Sequence, residues 1–190
     1  GSFSTGGKLL AALFQSVTLR TAGFASFNQD ALTEASKLLS NILMFVGGSS
    51  GSTAGGVKTV TMGLVVLSAV STMRGRRQVT VFRRSISQQD ISNAVSVALL
   101  ILGLSLFGAA VLTVCDRCNF LNAIYETTSA LCTVGLTTGI TSTLCAASKL
   151  ILIVFMFFGR VGIMTIGVGF MMGDRARERV QYAETKVMIG

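Results

Sequence analysis

Three patterns in this 190-residue sequence bring together residue types that could do chemistry. The stretch "VGGSSGSTAGGVKT" (46–59) has glycines and small hydroxyls leading to Lys58 and Thr59, the ingredients of a phosphate-binding loop. Cys115-Asp-Arg-Cys118 has CxxC spacing, as in zinc sites and redox pairs. Two turns, "LRTAGF" (19–24) and "LCTVGL" (131–136), set Thr-x-Gly after a short apolar run. Glycine there lets a backbone carbonyl be turned toward a cation. What is missing narrows the chemistry further. There are no histidines, so the commonest general base and metal ligand is gone. The eight carboxylates are scattered, and none pairs with another inside an apolar stretch.

A Walker A loop reads GxxxxGK[ST], with the lysine directly after the last glycine so that it reaches the β- and γ-phosphates. Residues 51–56 fit, but Val57 then separates Gly56 from Lys58. No strand precedes the loop, and its flanks "KLLSNILMF" and "VTMGLVVLSAV" are strongly apolar. Nucleotide binding by this loop is set aside. A zinc site would need a second cysteine pair or histidines. Neither exists, so Cys115 and Cys118 are read as incidental or disulfide-paired.

The elements that hold these patterns belong to a membrane. Apolar residues make up 51% of the chain and charged residues 13%, with a mean hydropathy of +0.68. Soluble domains carry about 25% charged residues. Residues 91–114 are 24 positions without a charge, and 150–172 are 23 with only Arg160; each is long enough to cross a bilayer. Residues 38–73 read as one crossing broken by the intramembrane loop 47–59. Two apolar pieces, 9–19 and 120–131, are too short to span, and each ends in a Thr-x-Gly turn. Short helices that run into irregular backbone are what re-entrant segments look like. The chain starts "GSFSTGGKLL", without an initiator Met or a signal-peptide pattern, and is expected to be a fragment.

Charge orients the spans. Segment 74–90 carries Arg74, Arg76, Arg77, Arg83 and Arg84; the tail 173–190 carries Arg175, Arg177, Arg179 and Lys186; segment 116–148 carries only Arg117. The positive-inside rule puts the first two in the cytoplasm and the third outside. These arginines adjoin spans and lack aromatic interleaving, so they suit lipid headgroups rather than nucleic acid. A shift of 112 residues lays "LRTAGF" on "LCTVGL" and "KLLSNILMFVGG" (37–48) on "KLILIVFMFFGR" (149–160), with eight of 18 positions identical. The repeated unit is span, short helix, Thr-x-Gly turn, span, in the same orientation both times. The fold expected is an all-α membrane protein of parallel membrane–pore–membrane repeats with re-entrant pore helices, like a potassium channel.

A pore helix entering from outside points its C-terminal carbonyls and negative dipole end at the membrane centre, where they favour a cation. The residues after it, returning outward in extended form, can present carbonyls that replace the water of a dehydrated monovalent ion. Thr133-Val-Gly135 matches the start of the potassium-filter signature TVGYG, with Leu136 and Thr137 in place of Tyr-Gly. The candidate filter carbonyls are those of Thr21, Ala22, Gly23, Phe24, Thr133, Val134, Gly135 and Leu136. Irregular backbone at membrane depth is tolerated where it lines a water-filled cavity. The loop is therefore read as a gate. Gly47, Gly48, Gly51, Gly55 and Gly56 give it freedom, and Ser49, Ser50, Ser52 and Thr53 satisfy or hydrate it. Arg160 aligns with Gly48 under the shift, hence at similar depth, and is expected to bond loop carbonyls or hydroxyls. Lys58 either shares that work or snorkels toward the cytoplasm. Arg20 is expected to brace its filter segment from behind.

The motifs "QSVTLRTAGF", "ETTSALCTVGLTTG", "GGSSGSTAGGVKT", "FFGRVGIMTI" and the terminal "VMIG" together resemble the C-terminal half of the membrane subunit of the Ktr/Trk/HKT potassium transporters. The resemblance implies four membrane–pore–membrane repeats in the whole subunit, with this chain holding the third, without its first span (1–73), and the fourth (91–172). It assigns filter glycines to Gly23 and Gly135, the gate to the loop, and the family's basic span residue to Arg160. It implies potassium uptake across a bacterial cell membrane by a multi-pass protein, homodimers, and a cytosolic nucleotide-binding regulatory ring; the basic segments 74–84 and 173–179 are the candidate docking surfaces for it. Any nucleotide would belong to that ring; this chain would carry no cofactor beyond the transported K+, and sodium coupling is left open. The competing readings are a secondary transporter of a small organic solute, which would want inverted repeats and midplane charges, and a membrane enzyme, which lacks a visible base.

Overall fold

The computed structural model describes residues 5–49, 51–52, 54–75, 79–81 and 84–161. Ser50, Thr53, Arg76, Arg77, Arg83, the second half of the 150–172 span and the tail 173–190 lie outside the described residues.

Helix formation follows local capping chemistry. α1 spans Thr5–Thr18. α2, Glu34–Phe45, starts at Thr33, whose hydroxyl accepts the Ser36 N–H at 3.3 Å. α3 is Thr59–Met73. α4, Gln88–Asp116, starts at Ser87, which accepts the Asp90 N–H at 3.1 Å while its hydroxyl donates to the Asp90 carboxyl at 2.6 Å. That reciprocal pair relieves one of the orphan amides of the first turn. α4 stops at Arg117, which takes the left-handed conformation (φ 51°) common at helix ends. α5, Phe120–Leu131, is capped by the Asn119 side chain on the Leu121 N–H at 2.9 Å. α6 covers Ala146–Val161. Two 3-10 turns, Gln29–Ala31 and Ile140–Ser142, follow the two Thr-x-Gly turns. The otherwise helical chain also has a ribbon of two-residue strands, β1 (Thr80–Val81) and β2 (Arg84–Ser85), which pair antiparallel within the basic linker. The sequence reading did not anticipate it.

The long and short helices differ in burial as well as length. α4, at 29 residues, is about 44 Å long, more than the roughly 30 Å of bilayer hydrocarbon. Leu99, Phe107 and Val114 stand exposed along it. It is long and apolar enough to cross a membrane; among the described residues, α3 is shorter but also apolar. α5 is only about 18 Å long and sits among α2, α4 and α6. Every residue from Tyr125 to Leu131 is buried, including Glu126, Thr127, Thr128 and Ser129. Burying so many polar groups is tolerable only when each finds a partner. Thr127, for example, donates to the Ser105 carbonyl of α4 at 3.0 Å.

Polar ties join the two units around this helix. The buried Lys37 of α2 donates to Asp30 (3.0 Å) and to Asn122 of α5 (2.9 Å). Gln29 accepts from Gln15 of α1 at 2.7 Å and from the Tyr125 hydroxyl of α5 at 3.2 Å. Beyond the 91–114 run, Asp116 caps α6 by accepting from the Ser148 hydroxyl (2.5 Å) and the Cys145 N–H (2.6 Å). Those bonds, the Ser148 hydroxyl foremost, hold its carboxyl below the usual carboxylate value. The starts of α2 and α6 lie 112 residues apart. Cys115, Cys118, Cys132 and Cys145 are free thiols, so Cys115 and Cys118 are not disulfide-paired here.

Candidate functional site

α1 and α5 end in the same way. The Ala22 and Gly23 amides turn back to the Thr18 carbonyl at 3.1 and 3.2 Å, and the Val134 amide to the Ser129 carbonyl at 2.9 Å. This folding-back imposes an unusual backbone. Thr21 and Thr133 have φ of 65° and 55°, and Gly23 and Gly135 have 77° and 88°; Ala22 and Val134 between them stay outside the left-handed region. An extended return was expected, and the structure corrects it. Alternating hand turns successive peptide groups the same way, with amides on one side and carbonyls on the other. A β-branched residue at positive φ is a genuine outlier. Such strain, about 1–3 kcal/mol per residue, persists only where the surroundings impose it. Here the same strain recurs at two sites 112 residues apart.

Among the described residues, no backbone amide donates to the carbonyls of Thr21, Ala22, Gly23, Thr133, Val134 or Gly135. The fourth carbonyl of each set differs. Phe24 O accepts from the Thr18 hydroxyl at 2.7 Å, and Leu136 O from the Ser129 hydroxyl at 2.6 Å. A helix hydroxyl thus already satisfies one lone pair of each. The two turns touch: a Cβ on Gly23 would run into the Val134 carbonyl oxygen.

The Gly/Ser loop is pinched at its base. Val46 and Val57 form a parallel bridge; the Gly47 amide donates to Val57 O at 2.9 Å and the Val57 amide to Phe45 O at 3.1 Å. Gly48 O accepts from the Thr59 amide, and Ser49 O from both the amide and the hydroxyl of Ser52. Gly51 and Gly56 have φ of 87° and 73°. Lys58 Nζ donates to Ser52 O (3.0 Å) and Ala54 O (2.5 Å). Of its two readings, work on the loop is the one this geometry fits. The far side of the loop rests on the turn after α5, with the Gly55 amide donating to Thr133 Oγ1 at 2.9 Å. Arg20 Nη1 reaches Gly47 O at 3.5 Å, so it leans on the loop's base rather than only behind its own turn.

A cavity of about 470 Å³ lies between this turn and α6. Thr133, Gly135, Leu136, Glu126, Ser129, Met156 and Arg160 are among its walls. α6 comes this close because position 159 is glycine: a Cβ there would collide with the Leu131 carbonyl and lie 3.1 Å from Thr133 Cγ2. The site therefore brings the fourth-repeat turn, the loop and Arg160 into one region, while Thr21, Ala22 and Gly23 join it through the Gly23–Val134 contact.

Several residues of this region were not singled out from sequence. Glu126 Oε1 accepts from the Thr137 hydroxyl (2.6 Å), the Thr138 amide (2.9 Å) and the Thr138 hydroxyl (3.2 Å), and Oε2 accepts from the Thr141 hydroxyl (2.8 Å). It holds the strand that leaves the turn. Gln15 and Gln29 do the same for the first unit. The available signal was a lone carboxyl in an otherwise uncharged 12-residue helix. Among the described residues no cluster of metal-ligating side chains occurs.

Comparison with known proteins gives the family. Residues 1–177 match the TrkH family model, described as cation transport protein. The chain is 38% identical over 183 residues to Ktr system potassium uptake protein B of Bacillus subtilis, covering 96% of this chain and 41% of the relative. It is 36% identical over 188 residues to potassium/sodium uptake protein NtpJ of Enterococcus hirae (96% and 42%). To Ktr system potassium uptake protein B of Vibrio alginolyticus it is 32% identical over 190 residues (100% and 41%). The chain thus spans about two-fifths of the length of these relatives, whose names describe uptake and not catalysis. With a match over nearly its whole length, the chain belongs to the TrkH family of cation transport proteins.

Proposed function

We propose that the chain supplies two of the filter segments and the gate of a potassium uptake protein in a bacterial cell membrane. The observation that carries this reading is the doubled turn. Left-handed Thr and Gly at 21 and 23, and again at 133 and 135, follow short helices and, among the described residues, leave their carbonyls without a backbone donor. A dehydrated monovalent cation needs such oxygens, and the C-terminal dipole ends of α1 and α5 favour positive charge there. The ion-facing oxygens are those of Thr21 to Gly23 and Thr133 to Gly135, with Phe24 and Leu136 contributing their second lone pairs. The loop 47–59 closes the path beneath the filter, held by Lys58 and, from α6, by Arg160.

Two such turns do not surround an ion. On α1, Leu9, Leu10, Leu13 and Val17 are 70%, 70%, 64% and 59% exposed. α5, the matching helix of the other unit, is packed against α2, α4 and α6. A second span from another unit of the same protein fits that bare face, which favours a pore built from four repeats in a multi-pass subunit. The charge pattern orients both units the same way, which disfavours the inverted repeats of the organic-solute alternative. The whole subunit forms homodimers and takes a cytosolic nucleotide-binding ring on its basic segments; K+ is the cargo, with sodium coupling a further property of the assembled pore.

The test is potassium uptake in a bacterium lacking its own potassium transporters, using the full-length protein with and without Gly135→Ser. Rescue by the parent with loss of preference for K+ over Na+ in the variant is expected. No rescue by an expressed parent supplied with its regulatory partner would move the assignment to the solute transporter, and unchanged selectivity in the variant would remove Gly135 from the filter.

A further inference from the structure

The fourth unit carries thiols, away from the turn and the loop, that the transport reading leaves unused. Cys115 lies in the last turn of α4 and is exposed. Cys145 immediately precedes α6 and is exposed as well. One carboxylate brings these two stretches together. Asp116, next in sequence to Cys115, accepts the Cys145 N–H at 2.6 Å and the Ser148 hydroxyl at 2.5 Å. Both thiols are free. The Cys145 sulfur rests on two long contacts, to the Ser148 hydroxyl at 3.4 Å and from the Ser148 N–H at 3.5 Å. Cys118 is placed differently. It is half-buried, packs against the core and donates to the Leu112 carbonyl at 3.7 Å. Burial pushes its thiol up, and the thiolate is the form that attacks a disulfide.

The charge pattern puts segment 116–148 outside the membrane, the side on which disulfides form and persist. We infer that Cys115 and Cys145 are a redox modification site, which a soluble low-molecular-weight disulfide oxidises to a bridge between the outer end of α4 and the start of α6. The chemistry is two exchanges. One protein thiolate attacks a sulfur of the soluble disulfide RSSR, forms a mixed disulfide and releases one RS−. The second attacks the protein sulfur of that mixed disulfide, forms the Cys115–Cys145 bond and releases the second RS−. The two protein thiols give up two electrons and two protons, and the soluble disulfide leaves as two RSH. A bridge needs the two Cα atoms within about 7 Å. The Asp116 tie already holds the chains side by side, so the step asks for rotation of Cys145 off Ser148 and a small backbone adjustment, not for unfolding. The bond closes a loop that contains α5 and the turn after it. A closed loop has fewer unfolded conformations, so the oxidised protein resists unfolding. The CxxC spacing then points to the wrong pair: Cys115 finds its partner across the unit. This inference rests on the membrane orientation of the transport reading and not on its filter.

The test uses the full-length protein in intact cells exposed to glutathione disulfide, with thiols blocked before purification. Peptide mass spectrometry without reductant locates the bridge, and thermal unfolding with and without dithiothreitol reads its effect. Rubidium uptake is followed on the same cells. The parent and Cys118→Ser should both give a Cys115–Cys145 peptide pair and melt roughly 3–10 °C higher when oxidised; dithiothreitol should reverse both. Cys115→Ser and Cys145→Ser should each stop at the mixed disulfide, keeping one glutathione and gaining no stability. A bridge to Cys118 in the parent, or glutathione on both thiols with no bridge, overturns the inference. If an impermeant maleimide reaches Cys115 and Cys145 only in inverted vesicles, the inference and the orientation fall together. Normal uptake with no bridge sinks this inference alone, and a bridge in cells whose expressed protein takes up no rubidium sinks the transport reading alone. The bridge is mapped on the unsubstituted protein, so the result does not depend on any variant folding.

Discussion

Glu126 shows how a single side chain can set the shape of a turn it does not belong to. Its two carboxyl oxygens accept four hydrogen bonds from residues 137, 138 and 141, in the segment and 3-10 turn that follow the turn after α5. Its own residue is only 5% exposed and Thr138 is buried beside it, so the Thr138 amide and hydroxyl have no water to fall back on. Glu126→Leu leaves the Thr138 amide and the hydroxyls without an acceptor, at about 1–3 kcal/mol for each buried group that stays unsatisfied. Glu126→Gln keeps one carbonyl oxygen, and the Thr141 hydroxyl can rotate to accept from the new amide. Thermal unfolding of the purified protein should therefore rank parent, Gln and Leu in falling order. A Leu variant as stable as the parent would mean that the strand is held by other contacts. Thr18 and Ser129 act similarly, each binding the fourth carbonyl of its turn. A sequence reading misses such residues because a hydroxyl near a helix end ordinarily means no more than a local hydrogen bond.

Helix α6 depends on a close approach that only glycine permits. At Gly159 a Cβ would meet the Leu131 carbonyl, a rigid backbone group at the end of α5. Its partner under the 112 shift, Gly47, is blocked in the same way by the carbonyl of Gly55. Gly159→Ala must push α6 away from the fourth-repeat turn and carry Arg160 with it. Overpacking of this kind costs about 1–3 kcal/mol, and rubidium uptake by the variant should fall along with its melting temperature. Normal uptake with normal stability would mean that α6 can shift without disturbing the turn. The short helices were legible from their length, apolar content and the turn that stops them. α5 occupies 120–131, and α1 begins at Thr5 rather than at the apolar run that marks it in the sequence. The ribbon at 80–85 was not legible, because strands of two residues carry no periodicity.

The two units are joined through a buried polar network rather than apolar contact alone. Gln29 of the first unit accepts from Gln15 of its own short helix and from Tyr125 of the other. Gln29→Leu strands both donors. The variant should unfold at lower temperature than the parent, and adding Tyr125→Phe should recover part of the loss, since one orphaned donor is then gone. Strict additivity of the two changes would mean that the groups do not interact.

Composition and the 112-residue shift were enough to establish a helical membrane class and two equivalent short-helix turns, because apolar run length and repeat spacing are one-dimensional properties. They also separated the Gly/Ser loop from a nucleotide-binding loop, since that distinction lies in the position of one lysine. The hand of the backbone at Thr21 and Thr133 was decided by tertiary structure. A threonine does not choose positive φ by itself; amides pulled back onto the helix end impose it. The seat of the loop on Cys132 and Thr133 was decided there too, because residues 78 positions apart meet only after α5 and the broken span have packed.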